Sequence, residues 1–529
     1  MIDIFKLTLA KYNEFQGGGV QMAVFWLSVL LLFSNRRYGG DKKISAILSY
    51  VLLFLIVFFC PLTAGIIMKY CIGELVYWRM LWLLPEVIVI AYILTRFVMD
   101  VKGVRRFVIV LGSIILIATT GTGFYNYTRP TKWENAEKLP AATINVCKML
   151  KQCQEQYGDA EVRVIVPDEM VCSIRQYDAT IKMPYGRAVL KGEQAHIIRD
   201  IMLQTPLQTG NLVYNAKLYG CNYLVYPISG DGIVEGRLDE VGYALVGQTN
   251  GYNIFRLDDE KEGWAMLSFP DASGNQAMFY ILHNEENGSL IVVDGGWKEN
   301  SQQVRDVINS FGGHVDAWFI THFDNDHVDA FNEIYADLQG IVVDQIYITP
   351  LDYDYYMSTL REWDTPASYE TFLDLQRDNK NVHELKRGDT FELCGLQIEV
   401  FNAYDEVVEK ANQVVNDLPN IASLVFKVSF KDESVLFCGD CRTEAMADIL
   451  IQEYGDKLQA DYVQLGHHGN NSFPTYFYDV VNPKKVFFDA PQWLMEGDEY
   501  TAKELKEYFE EKDIDTWDYS QGVMYMLME

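Results

Sequence analysis

Hydrophobic and polar residues follow three different patterns along the 529 residues of the chain. Up to about residue 125 the apolar positions form continuous runs, at about 19–34, 44–68, 75–95 and 107–125. Each is near the length a helix needs to cross ~30 Å of hydrocarbon at ~1.5 Å per residue, which predicts four transmembrane helices. The first run has a short core, Val20 to Phe33, but only Lys6 and Lys11 precede it. No small-residue cleavage site follows, so it reads as a retained span rather than a removable signal peptide. Between residues 140 and 260 helix-like and strand-like stretches alternate: Ala141–Tyr157 has helical spacing, while Val162–Pro167, Tyr223–Pro227 and Tyr243–Val246 read as strands. From Gly263 the pattern turns to hairpins. Met266–Phe269, Ala277–His283 and Ser289–Asp294 are strand-like, with Asn287-Gly288 supplying the residues of a tight primed turn. Helix-like Gln302–Ser310 follows, then an apolar strand, Ala317–Thr321, and a helical pattern through Leu338. Three regions result: a transmembrane region at 1–128, a small α/β linker or binding domain at 129–262, and a third domain at 263–529.

Charge separates the same regions. The formal net charge is −29, yet residues 1–130 hold 13 Lys+Arg against 6 Asp+Glu, leaving 31 against 67 in the rest. The anchor is therefore +7 and the body −36. A body this acidic repels phosphate backbones and disfavours bulk binding of nucleic acid. Lys and Arg beside spans are retained on the cytoplasmic side. Arg36, Arg37, Lys42 and Lys43 occupy the first loop and Arg96, Lys102, Arg105 and Arg106 the third, against Lys69 alone in the second. The expectation is a multi-pass protein of the cell membrane with everything beyond about Tyr127 extracytoplasmic. Arg79 and Glu86, seven residues apart, would share a helical face of the third span, with Pro85 beside them. Nine cysteines in so long a chain imply no disulfide framework, and the seven beyond the spans are an odd number.

The chemistry concentrates where strand 317–321 ends. His322, Asp324, Asp326 and His327 are four potential ligands within six residues, and a strand-to-helix junction is what brings such neighbours together. Imidazole and carboxylate without thiolate suit Zn²⁺, Mn²⁺ or Fe. Four of the chain's eight histidines lie here and in Gly466-His467-His468-Gly469, against the alternative of a solvated turn with chance histidines. Asp294, ahead of Gly295-Gly296, either orients a ligand or caps a turn. Cys438-Gly439-Asp440-Cys441 contains a CxxC outside the helix-terminal setting of redox pairs, so Cys438 is expected to be buried packing. Tyr353, Tyr355, Tyr356 and Trp363 form either a pocket floor or a packed insertion. Asp489, a lone carboxylate, is either a substitute ligand or, the favoured reading, structural, and His196 and Asp168 lack a partner at useful spacing.

The segment His322-Phe323-Asp324-Asn325-Asp326-His327 resembles the first metal motif, HxHxDH, of the metallo-β-lactamase fold hydrolases, with Asp324 in place of the second histidine. That exchange is similar to the branch found in bacterial competence DNA-internalisation proteins. Gly388-Asp389, Asn420–Val425, Val435–Asp440 and the GHHG element at 466–469 follow in the same order. The resemblance implies an αββα sandwich and one or two divalent ions, Zn or Mn. It implies His322 and Asp324 at one metal position, Asp326 and His327 at the second, and Asp440 bridging. Of the pair 467/468, His467 is taken as ligand and His468 as its catalytic neighbour, with Asp326 also catalytic. No histidine occurs at 420–423 or after His468, where other members of the superfamily have one. Segments 220–226 and 242–258 resemble, loosely, soluble domains of bacterial membrane glycosyltransferase-like proteins.

Three functions follow: a membrane-anchored metal-dependent hydrolase of small-molecule or envelope phosphoesters, a component of competence-type DNA uptake, and a degenerate fold acting as a binding module. Four spans and a −36 body depart from the DNA-uptake architecture. The retained His322, Asp324, Asp326, His327 and Asp440 argue against the binding module. The hydrolase is the expectation carried forward.

Overall fold

The computed structural model describes residues 2–16, 20–34, 42–74, 76–120, 135–186, 193–204, 207–228, 235–257, 263–362 and 364–528. Contacts divide the chain into two compact units, Met1–Lys132 and Trp133–Glu529. The boundary expected at 128/129 lies outside the described residues, and the one at 262/263 borders the undescribed stretch 258–262.

In the first unit each apolar run is helical, at Val20–Ser34, Lys42–Phe59, Glu86–Met99 and Val104–Thr120, and a further helix, Ile2–Gln16, precedes them. Tyr77–Met99 is long and apolar enough to cross a membrane, with 23 residues at a mean hydropathy of 1.9. Two bent pairs, Ile4–Phe15 with Val20–Phe33 and Ser45–Phe59 with Pro61–Ile72, reach the same length and apolarity when taken together. The described residues thus hold one such helix, or up to three if each bent pair is one span. Part of the fourth expected span, and loop residues Arg36 and Arg37, lie outside them. The shared face expected for Arg79 and Glu86 does not form. Tyr77–Leu83 is a tighter 3₁₀ helix, Leu84 is extended, and the α-helix restarts at Glu86 after Pro85. Pro cannot continue an α-helix through its own missing N–H, so the face is interrupted. Arg79 lies over the Trp78 ring at 5.9 Å, and Glu86 is buried in the first turn, where a carboxylate suits the helix dipole.

The second unit begins with a small sheet in the order β1-β2-β4-β3, made of β1 (Val164–Ile165), β2 (Tyr223–Pro227), β3 (Tyr243–Thr249) and β4 (Tyr252–Leu257). Helix Ala141–Tyr157 covers it with Val146, Cys147, Leu150 and Cys153. Asp168, which had no partner at useful spacing in sequence, pairs with Arg199 at 2.9 Å. Within the same unit, Lys217 joins the helix Thr209–Leu218 to the later strands by bonding Glu285 at 2.5 Å and the Tyr525 hydroxyl at 2.7 Å.

The rest is a sandwich of two seven-stranded mixed sheets with helices outside. One sheet holds β5 (Trp264–Ser268), β6 (Phe279–Asn284), β7 (Leu290–Asp294), β8 (His314–Phe319), β9 (Val342–Ile348), β10 (Val382–Glu384) and the last strand, β18 (Met524–Met528), in the order β10-β9-β8-β7-β6-β5-β18. The other runs β11-β12-β13-β14-β15-β16-β17, comprising β11 (Thr390–Leu393), β12 (Leu396–Asn402), β13 (Val425–Phe430), β14 (Glu433–Phe437), β15 (Tyr462–Gln464), β16 (Lys485–Phe487) and β17 (Asp515–Trp517). Strands such as β7 are buried at every position, and apolar up to Asp294, because one face meets the opposite sheet and the other meets helices. Between the sheets Phe319 stacks on Phe426 at 4.9 Å and Tyr280 meets Phe437 edge-on at 5.3 Å. The turn at Asn287-Gly288 differs from expectation. It is a longer loop closed by Asn284 N to Ser289 O, and Gly288 but not Asn287 has positive φ, whereas the type I′ turn that Asn-Gly favours needs both.

Because β7 runs parallel to β8, and β14 to β16 run parallel to one another, the chain leaves several strands at a common end. Phe319→Ala, which empties the middle of the inter-sheet layer, is expected to cost about 3–5 kcal/mol of stability, measured as a lowered unfolding midpoint of the purified chain.

Candidate metal centre

Strand β8 ends at Phe319, and Ile320–Asp324 carries the chain into helix Asn325–Ala336. Asp324 stands at the N-cap position but makes no side-chain cap, and Asp326 and His327 occupy the first helical turn. The sharp junction turns His322 and His327 towards each other, ring centres 4.0 Å apart. Asp440 arrives from the loop after β14, its backbone N bonded to Ser423 Oγ at 3.2 Å. Gly439, with φ +53, lets this loop pass. A Cβ there would stand 3.0 Å from the Cβ atoms of both Ser423 and Thr321.

His468 comes from the turn after β15. Its Nε2 lies 3.2 Å from Asp326 Oδ2 and 3.6 Å from Asp440 Oδ2. His467, the expected ligand, does not join it. Both histidines have positive φ, and the tight turn sends neighbouring side chains apart, leaving His467 Nδ1 against the Asn470 carbonyl at 2.5 Å. The structure therefore brings His468 into the cluster where His467 was expected. Asp324 stays at the margin, 3.6 Å from His322 Nε2.

Behind the cluster, Asp294 at the end of β7 accepts from Thr321 N at 2.7 Å and Thr321 Oγ1 at 2.6 Å, and lies 2.7 Å from His327 Nδ1. Assigning the Nδ1 proton to this bond directs the Nε2 lone pair of a neutral His327 into the cluster. Of the two roles open to Asp294, the geometry places it on the histidine. Thr321, Ser423 and Gln276, whose Nε2 donates to Asp326 Oδ2 at 3.4 Å, have no signal in the sequence.

Electrostatics binds the group together. Burial works against a charged His327, but Asp440 and Asp294 on either side raise its affinity for a proton well above the imidazole range. Burial likewise disfavours ionised Asp440 and Asp326. The charges of His468 and His327 hold Asp440 well below the usual carboxylate range, and the His468 hydrogen bond helps lower Asp326. Burial pushes His467 down, towards the neutral form. Asp489, fully buried after β16 and bonded through Oδ1 to the Tyr280 hydroxyl at 2.7 Å, is pushed by burial up to about 7.

Whether these residues fit a metal can be judged from their unmatched atoms. His322 Nε2, His327 Nε2 and Asp440 Oδ1 are buried without a hydrogen-bond partner, although His327 Nε2 and Asp440 Oδ1 lie 3.1 Å apart. Two triads, His322/His327/Asp440 and Asp326/His327/His468, each place their ligand atoms within 4.8 Å of one another. Buried ring nitrogens and a carboxylate oxygen that converge without hydrogen bonds suit a divalent cation. The donor set, nitrogen and oxygen, favours Zn, Mn or Fe. Cys438 and Cys441 are buried, and burial raises both thiols, in keeping with packing rather than redox chemistry. In the aromatic segment Tyr356 is buried, Tyr353 and Tyr355 bond Glu370 and the Glu409 carbonyl, and Trp363 lies outside the described residues. These contacts match a packed insertion.

No family model matches the chain, and no curated protein matches it. Among solved structures it is similar to CmlA, a diiron β-hydroxylase from Streptomyces venezuelae, at 13% identity and TM-score 0.35, covering 51% of this chain and 55% of that one. The chain thus spans about half the length of that protein. It is also similar to the metallo-β-lactamase fold protein YhfI from Bacillus subtilis at 11% identity and TM-score 0.32, covering 50% of this chain and 100% of that one. A diphosphatase from the PhnP family stands at 11% identity and TM-score 0.30, covering 50% and 98%.

A carboxyl raised to about 7 in the fold and near ~3.9 when unfolded loses stability as pH rises between those values. In metal-stripped protein, Asp489→Asn is therefore expected to gain stability over the parent as pH rises from about 4 to 7, with the gap level above. Denaturant unfolding across that range reads it.

Proposed function

We propose that residues 263–529 form a metallo-β-lactamase-like, metal-dependent hydrolase domain acting on phosphoesters, held at the outer face of a cell membrane by residues 1–128, with 129–262 as linker or binding domain. The observation that carries this reading is the convergence of His322, His327 and Asp440 with unmatched, buried ligand atoms. These three would hold one ion, and Asp326 with His468, reaching Asp440, would hold a second. Asp324 would border the first position.

A divalent ion held there would supply Lewis acidity and activate water at neutral pH, chemistry suited to a phosphoryl centre. Asp294 keeps His327 turned inward through Nδ1, and Thr321 keeps Asp294 in place. Asp326 Oδ2 and His468 Nε2, 3.2 Å apart, can share a proton, which a group so placed would offer to a leaving oxygen. The apolar helix Tyr77–Met99 supports membrane anchoring, and the basic first and third loops support the orientation.

Metal analysis of the purified full-length chain is expected to find one or two divalent ions, with chelation abolishing phosphoester hydrolysis. Asp294→Ala is expected to weaken metal affinity about 10- to 100-fold. A chain without bound metal, whose hydrolysis is unchanged in Asp326→Ala, would exclude the reading. For topology, a cysteine introduced after residue 130 is expected to react with an impermeant label in intact cells. Protection in intact cells with reaction after lysis would reverse the orientation.

A further inference from the structure

One neutral side chain reaches the centre from its rim. Gln276 belongs to the loop between β5 and β6, is half-buried, and donates through Nε2 to Asp326 Oδ2 at 3.4 Å. Its backbone is fixed from several sides. Trp297 Nε1 donates to the Gln276 carbonyl at 2.6 Å, and Trp493 Nε1 donates to the Gly274 carbonyl at 2.9 Å. The buried Asp271 carboxylate accepts from Ser273 N at 2.9 Å, Asn275 N at 2.7 Å and Asn300 Nδ2 at 2.6 Å. Immediately beyond, Met278 N donates to the Asp326 carbonyl at 3.2 Å, which sets the distance between loop and centre. Gln276 is thus a rotatable amide on an anchored backbone.

A primary amide has two N–H donors and a carbonyl acceptor. The bond to Asp326 uses one donor, and at 3.4 Å it is long enough to exchange for a better acceptor. The need for such a donor follows from the charges nearby. Arg442, two positions beyond Asp440, is engaged by the buried Asp417 at 2.7 Å, and Arg361 pairs with the same carboxylate. Asp324 at the margin and Asp326 within already place carboxylates at the centre. An anionic substrate therefore gains from a neutral N–H that is free to turn towards it.

Resting on the phosphoester reading above, we propose that Gln276 is a substrate-positioning residue, its amide leaving Asp326 Oδ2 to donate to a non-bridging oxygen of the phosphoryl group. A hydrogen bond to a charged oxygen of this kind corresponds to about a ten- to hundredfold effect on affinity. The test compares full-length wild type, Gln276→Ala, Gln276→Glu and Gln276→Asn in detergent. It reads metal affinity by chelator competition, inorganic phosphate binding to the metal-loaded protein by calorimetry, and KM and kcat with an aryl phosphoester. Expected in Gln276→Ala are unchanged metal affinity, at least about tenfold weaker phosphate binding and a raised KM. Gln276→Glu is expected to bind phosphate more weakly still, because its carboxylate repels the anion, and Gln276→Asn to recover part of the loss. Unchanged phosphate binding and KM in Gln276→Ala would overturn the proposal, as would lost metal affinity with normal phosphate binding at loaded sites, which would make Gln276 a support of Asp326 alone. Failure of the wild-type chain to take up metal would overturn the hydrolase reading as well, and is told apart because it occurs without any substitution.

Discussion

Asp294, Asp326 and Asp440 are carboxylates withdrawn from water at one end of a protein interior, and everything around them is arranged to offset the cost. Isolated buried charges are expensive, and they persist when matched by hydrogen bonds and opposite charge. Asp294 takes two bonds from Thr321 and faces His327, while Asp326 and Asp440 face His468 and His327. The imidazoles answer part of the negative charge, yet His322 Nε2, His327 Nε2 and Asp440 Oδ1 make no hydrogen bond, the last two facing each other at 3.1 Å as charges alone. That remainder is the physical case for a cation, and it depends on the position of the groups rather than on any one residue's identity.

Holding them there requires backbone that most residues avoid. Asp294, Thr443, His467 and His468 all have positive φ, as does Gly439 beside Asp440. For non-glycine residues such conformations cost on the order of 1–3 kcal/mol each and survive when the surroundings over-determine them. The surroundings here are the two-sheet sandwich, whose aromatic layer includes Phe319 on Phe426 and Tyr280 on Phe437. Tyr280 belongs to both parts of the design, since its ring packs between the sheets and its hydroxyl holds Asp489 below the centre.

Much of this architecture was legible in the residue pattern. The strand-to-helix junction at 322–327, helix Ala141–Tyr157 and strand Tyr223–Pro227 all lie where periodicity places them. Local hydrogen bonding and side-chain spacing set such elements within a few residues. The pattern failed where geometry beyond the neighbours intervened. Arg79 and Glu86 lost their shared face to the break at Pro85, and the turn at Asn287-Gly288 took a longer form. Spacing alone also could not choose between His467 and His468, because adjacent residues in a tight turn point apart.

By itself, then, the sequence determined the elements, the charge division between +7 in residues 1–130 and −36 in the rest, and the His- and Asp-rich segment at the end of β8. Only the tertiary structure decided that Asp294 would hold His327 from 33 positions away, that His468 would meet Asp326 across 142, and that Tyr280 would hold Asp489 across 209. The reason is physical. Secondary structure and turn chemistry act over a few residues, whereas the orientation of a buried imidazole or carboxylate is set by the few atoms packed against it. In a sandwich of two mixed sheets those atoms come from distant strands.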